Sequence, residues 1–153
     1  MSVITRSARN LNNKTRSTLR LSQPEPIIGD STWRSPGNFV VEVDPTLTEN
    51  INYTGGSAVY TGLDDIQIQM TATITTEATG GSNTTVLMTG GIQGNEDLNQ
   101  VIEHLLTNGN EAKELTCQFV SNWSNGQTLD FFINADKNID LKKGEWIIKR
   151  YDC

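Results

Sequence analysis

The chain has 153 residues, 35 % apolar and 20 % charged, with a formal net charge of −6. That length suits one domain able to bury about two-thirds of the surface its unfolded form exposes, and abundant Thr, Asn and Gly favours strands and turns over helices. No apolar run is long enough to span a membrane, Met1 to Arg20 lacks the apolar core of a signal peptide, and the two cysteines, Cys117 and Cys153, make no disulfide framework.

Charge is segregated along the chain. Residues 1–34 hold six basic and two acidic groups, residues 35–112 hold ten acidic and no basic ones, and residues 113–153 hold six of each. The first twenty place Arg6, Arg9, Lys14, Arg16 and Arg20 among Ser, Thr and Asn, with no carboxylate and no sustained apolar period. Such a stretch reads as an arm that orders only against a partner. We set the arm at residues 1–36 and the folded domain at 37–153, with those five basic residues as docking candidates. Nucleic acid is disfavoured as the partner, because the arm lacks interleaved aromatics and the acidic body would repel a phosphate backbone.

Pro24, Pro26 and Pro36 punctuate the connection to the domain. Phe39, Val41 and Val43 then alternate with Val40, Glu42 and Asp44 in a first strand stopped by Pro45, and a second strand lies near Ile51 to Tyr53 before Gly55-Gly56. From Ile66 to Thr75, Ile66, Ile68, Met70, Ala72 and Ile74 fall on one face, with Gln67, Gln69, Thr71, Thr73 and Thr75 on the other. A sheet with one buried and one polar side suits an antiparallel sandwich. Gly80-Gly81-Ser82-Asn83 reads as a turn, Thr85 to Thr89 as the returning strand, and Gly90-Gly91 as a turn or bulge.

Residues 95–109 fit two readings. Leu98, Val101, Ile102, Leu105 and Leu106 have helical spacing behind an Asn95 N-cap, while Gln100 to Thr107 with the following Asn-Gly-Asn also reads as a hairpin arm. The balance falls on strand. Leu115, Cys117 and Phe119 begin the next strand, Asn125-Gly126 marks a tight turn of the hairpin kind, Leu129, Phe131 and Ile133 form another strand, and Glu145 to Tyr151 the last.

Residues of chemical interest do not converge. His104 has no His or Cys near it in sequence, and Cys117 shares a face with Leu115 and Phe119. Asp136, Asn138 and Asp140 imitate the start of a calcium loop, but Leu141 and Ile147 occupy the positions that need glycine and glutamate. No catalytic set, metal site or cofactor is assigned.

Tyr60-Thr61-Gly62, the alternating Ile66 to Thr75 strand, Asn83-Thr84-Thr85-Val86, Phe119-Val120, Asn125 to Leu129 and the closing Trp146 to Arg150 together resemble a tumour-necrosis-factor/complement-globular-head jelly roll over about Phe39 to Tyr151. The form it is most similar to is found in fibre, decoration and minor capsid proteins of phages and large DNA viruses. The family usually has Asp where Gln127 stands. The resemblance implies an all-β, two-sheet antiparallel jelly-roll sandwich that forms a homotrimer in a virion. Its basic arm would dock on a major capsid or other virion protein, and its outer loops would meet a host-surface receptor or glycan. Phe132, Trp146, Ile148 and Tyr151 are the expected oligomer interface, because they give their strands a second apolar face. Trp123 and Asn83 are candidate ligand contacts. The rival readings are a carbohydrate-binding module that stacks sugars on Trp123 or Trp33, and a small capsid protein whose arm contacts the genome.

Overall fold

The alternation from Ile66 onward runs further than the sequence suggests, to Ala78, with every second side chain buried and the intervening ones open to the surface. The computed structural model describes residues 16–41, 50–79, 83–107 and 112–151. Among them the elements are β1 (Arg16–Leu21), β2 (Glu25–Ile27), β3 (Phe39–Val41), β4 (Ile51–Thr54), β5 (Ser57–Tyr60), β6 (Ile66–Ala78), β7 (Thr84–Ile92), β8 (Asn95–Glu96), β9 (Ile102–Leu106), β10 (Lys113–Trp123), β11 (Thr128–Ala135) and β12 (Ile139–Tyr151). All pair antiparallel and build two sheets. Sheet A has the order β10-β6-β12-β1-β3, with β2 beside β12, and sheet B has the order β4-β5-β11-β7-β8, with β9 also on β7.

The core lies between the sheets. Sheet A contributes Ile68, Met70, Ala72, Ile74, Leu115, Phe119, Trp123, Trp146 and Ile148, and sheet B contributes Val86, Met88, Leu129, Phe131 and Ile133. Phe39 meets Phe131 edge-on at 6.1 Å, and Tyr60 packs against Trp123 at 5.3 Å. Each large side chain withdrawn from water in this way contributes roughly 1.5–3 kcal/mol. The one break in the β6 to β12 register is a bulge at Lys142, between Leu141 and Lys143. Because the extra residue shifts the alternation, both Leu141 and Trp146 point inward although they are an odd number of positions apart.

Of the ambiguous segment, 95–96 and 102–106 are strand (β8 and β9), as the balance of the sequence suggested, 97–101 form a turn, and of the five apolar residues at helical spacing only Leu106 is buried. Other expectations change. Gly90-Gly91 is no turn but lies inside β7, where side chains would collide with Phe119 and Phe132. Asn125-Gly126 is a turn, closed by Gln127 N donating to Ser124 O at 3.0 Å with Gly126 at φ 83°, yet it joins β10 of sheet A to β11 of sheet B rather than two hairpin partners. The turn docks on β5 instead, through Gly126 N to Tyr60 O (2.8 Å) and Tyr60 N to Gln127 O (3.2 Å).

The arm also ends earlier than residue 36. β1 lies between β12 and β3, with Leu19 fully buried, so residues 16–21 are part of sheet A. Residues 31–35 run beside β11, where Arg34 and Ile133 exchange main-chain hydrogen bonds of 2.9 Å and Asn134 Nδ2 donates to Ser31 O. Sequence periodicity misses β1 because it presents Ser17, Leu19 and Leu21 inward, only two of them apolar. Arg6, Arg9 and Lys14 lie outside the described residues.

Candidate functional site

β1 starts opposite the end of β12, with Arg16 paired to Lys149, and this marks one end of the sandwich. At the other end, three connections are tied together. Asn138 O accepts from Thr79 N (3.0 Å), Asn138 Oδ1 from Gly29 N (2.8 Å), and Asp136 Oδ1 from Thr85 N (2.9 Å). Gly29 is required there, because any Cβ would run into the backbone of Lys137. Asp30 adds an ion pair to Arg34 at 2.7 Å; desolvation is the largest single influence and raises its carboxyl, but the Thr32 hydrogen bonds and the Arg34 charge together outweigh it and hold the carboxyl below the usual value.

The outward face of sheet A is the second feature. The register aligns Gln118, Thr71, Ile147 and Thr18 in one row across four strands, all uncharged. Val120 and Gln69 stand on one side of that row and Thr116 and Thr73 on the other, the two threonine hydroxyls 3.5 Å apart. Charge returns in the rows on either side, where β12 places Lys149 beside Gln69 and Glu145 beside Thr73, Glu145 pairing with Arg20 at 3.5 Å, and further out in Lys143 and Glu114 beside Thr75.

Among the described residues the titratable and nucleophilic side chains do not converge on one site. His104 lies in β9, bonded through Nε2 to Thr116 O at 3.0 Å. Burial pushes the Cys117 thiol up to about 12, which keeps it protonated and unreactive. The three oxygens of the calcium-like run are drawn in different directions, Asp136 to Thr85, Asn138 to Gly29 and Asp140 to Lys142 (3.7 Å). Among the described residues no group of three or more His, Cys, Asp or Glu stands close enough to hold a metal ion, and no helix is long and apolar enough to cross a membrane.

Most residues singled out in the sequence move to other roles. Trp146 and Ile148 are fully buried on the core side of β12, which leaves Ile147 as the apolar residue of that strand's outward face among the described side chains. Phe132 does occupy the outward face of sheet B but is covered by its own chain, with the ring against Gly91. None of the three is available to a neighbour, and of Tyr151 only the main chain is described, paired with Gln67. Trp123 is fully buried, its indole Nε1 donating to Gln127 O at 2.8 Å, so it offers no platform to a sugar; Trp33 is half-buried. Asn83 is exposed at the tied end. Arg20 is exposed on sheet A, and Arg16 faces Lys149 across β1 and β12. The residues that sequence reasoning missed, Val120, Ile147 and Gln100, carry no signal beyond strand alternation.

Two stacked sheets with these orders, with consecutive strands crossing between them, decide the architecture. The fold is a tumour-necrosis-factor-like jelly roll. Similar solved structures include Eiger TNF from S. frugiperda (TM-score 0.50, 8 % identity, covering 91 % of this chain and 94 % of that one). The PRD1 vertex protein P5 matches with TM-score 0.56 at 9 % identity over 90 % of this chain and 73 % of that one. Murine APRIL matches with TM-score 0.53 at 12 % identity over 88 % and 99 %. At these identities the likeness concerns the jelly roll alone. No family model matches the sequence, and no curated protein is similar to it in sequence.

Proposed function

We propose that the protein is a non-enzymatic structural component of a virion, a homotrimeric jelly-roll head of the minor capsid, decoration or fibre kind. In this reading the residues before β1, with Arg6, Arg9 and Lys14, dock the head on a larger virion protein. The opposite end, where Gly29, Asn83 and Asn138 gather, faces outward toward a host surface.

The observation that carries the reading is an uncharged row at the centre of the outward face of sheet A: Gln118, Thr71, Ile147 and Thr18 align across four strands, and the charges of Glu145, Lys149 and Arg20 stand in the rows beside it. Residues that line a threefold axis meet their own copies, so a charge in that row would meet its own copy, whereas Thr and Gln can donate to and accept from theirs. The two-ended layout and the likeness to the PRD1 vertex protein P5 support the virion assignment. Light scattering on the purified protein tests the oligomer: the reading expects about three times the 16.9 kDa chain mass.

A further inference from the structure

The free edge of sheet A carries an exposed weakness and a device that covers it. β10 is the outermost strand, and from Leu115 to Asn122 it has no charged residue and no proline. An edge strand of that composition is a template for pairing with another chain. Residues 116, 118 and 120 turn their main-chain groups away from β6. Two of these three positions are occupied from the loop and strand that follow β8. The Gln100 side-chain amide accepts from Val120 N at 2.9 Å and donates to Val120 O at 2.9 Å. It therefore makes the two bonds that a neighbouring strand would make. Asp97 steadies it, with Oδ2 accepting from Gln100 Nε2 at 2.8 Å and Oδ1 from Asn99 N at 2.9 Å. Four residues along, His104 Nε2 meets Thr116 O at 3.0 Å; a carbonyl only accepts, so that nitrogen carries the proton. Between the two contacts an open slot of about 500 Å³ lies along Gln118, with Ile102 and Val120 partly exposed on its walls.

We infer that Gln100 is an edge guard, a side-chain amide standing in for a peptide group, and that the surface it covers is a latent pairing site for a second copy of β10. Two copies centred on Gln118 would place Thr116 opposite Val120 of the other strand, all with high strand propensity and none charged. The guard thus keeps copies from joining by their edges, leaving the outward face of sheet A for association.

The test compares the full chain with Gln100→Ala by light scattering across a concentration series and by amide exchange at Val120. We expect the variant to grow beyond the mass of the unaltered protein as concentration rises, and the Val120 amide to exchange at least tenfold faster in dilute samples. Adding Gln118→Pro, which removes the outward N–H at the centre of the pairing, should return the mass to that of the unaltered protein. A variant whose mass matches the unaltered protein at every concentration overturns the inference, as does growth that Gln118→Pro leaves in place or growth without faster Val120 exchange. Because each reading is relative to the unaltered protein, the outcome is independent of whether that protein is a trimer.

Discussion

A Cβ on Gly90 would stand 2.5 Å from Cδ2 of Phe119, so a ring carried by sheet A rests on the bare backbone of sheet B. Gly90 has no positive φ, and its requirement is purely one of space. Gly90→Ala should therefore destabilise the fold by about 1–3 kcal/mol, as overpacking does in other cores. The effect should be less than additive with Phe119→Ala, which removes the obstacle. Urea unfolding of both single variants and the double variant measures the coupling, and strict additivity would mean that the ring and the glycine do not meet.

The uncharged row at the centre of the sheet A face makes a separate prediction about association. Thr71→Glu puts one carboxylate per copy in the middle of the face without touching the core, since the Thr71 side chain is only half-buried. Its melting temperature at low concentration should match that of the unassociated protein, while the assembly falls to single chains in a sizing experiment. Trp146→Glu should behave differently, giving insoluble or unfolded protein, because Trp146 is core rather than surface.

Truncations separate the arm from the sheet. Removing residues 1–15 should leave the melting temperature within a few degrees of the full chain. Removing residues 1–21 takes β1 from between β12 and β3 and exposes the edge of β12. That loss should abolish cooperative unfolding, as followed by circular dichroism. Equal stability of the two truncations would place β1 outside the folded unit.

The Cys117 thiol predicts an alkaline limit. Its folded value is about 12 against 9.0 for the free group, so well below pH 9 this thiol is protonated in folded and unfolded chains alike and adds no pH dependence. Between pH 9 and 12 the unfolded chain releases a proton that the folded one keeps, and stability falls with rising pH by roughly 1.4 kcal/mol per unit. In a Cys153→Ser background, replacing Cys117 by Ala should flatten the stability profile from pH 9 to 11, measured by urea midpoints. The same background should show a Cys117 thiol that reacts with a thiol reagent only as fast as the protein unfolds.

Alternation made the strands of the core legible where one side is open, as in Ile66 to Ile74, because the side-chain period of a strand is two, whereas β11 from Leu129 to Ala135 is buried on both sides. What alternation does not contain is which face of a strand has a second covering. Phe132, Trp146 and Ile148 were expected to need a neighbouring chain, yet Trp146 and Ile148 belong to the inward set once the Lys142 bulge is counted, and Gly91 makes room for Phe132. Pairing was also hidden: Asn125-Gly126 looks like a hairpin turn, but its flanking strands find partners in β6 and β7, far away in sequence. β1 was concealed by its polar composition, since Ser17 fills an inward position and Tyr53 supplies it with a hydroxyl partner. Gln100 is equally silent in the sequence, because its role arises only from the position of Val120.

The mass of the purified full-length protein in solution tests the central claim most directly. Multi-angle light scattering across a hundredfold range of concentration should give about three times 16.9 kDa throughout, with Thr71→Glu at the single-chain value. A protein that stays at 16.9 kDa at every concentration would contradict the assignment of the sheet A face to self-association and, with it, the trimeric head.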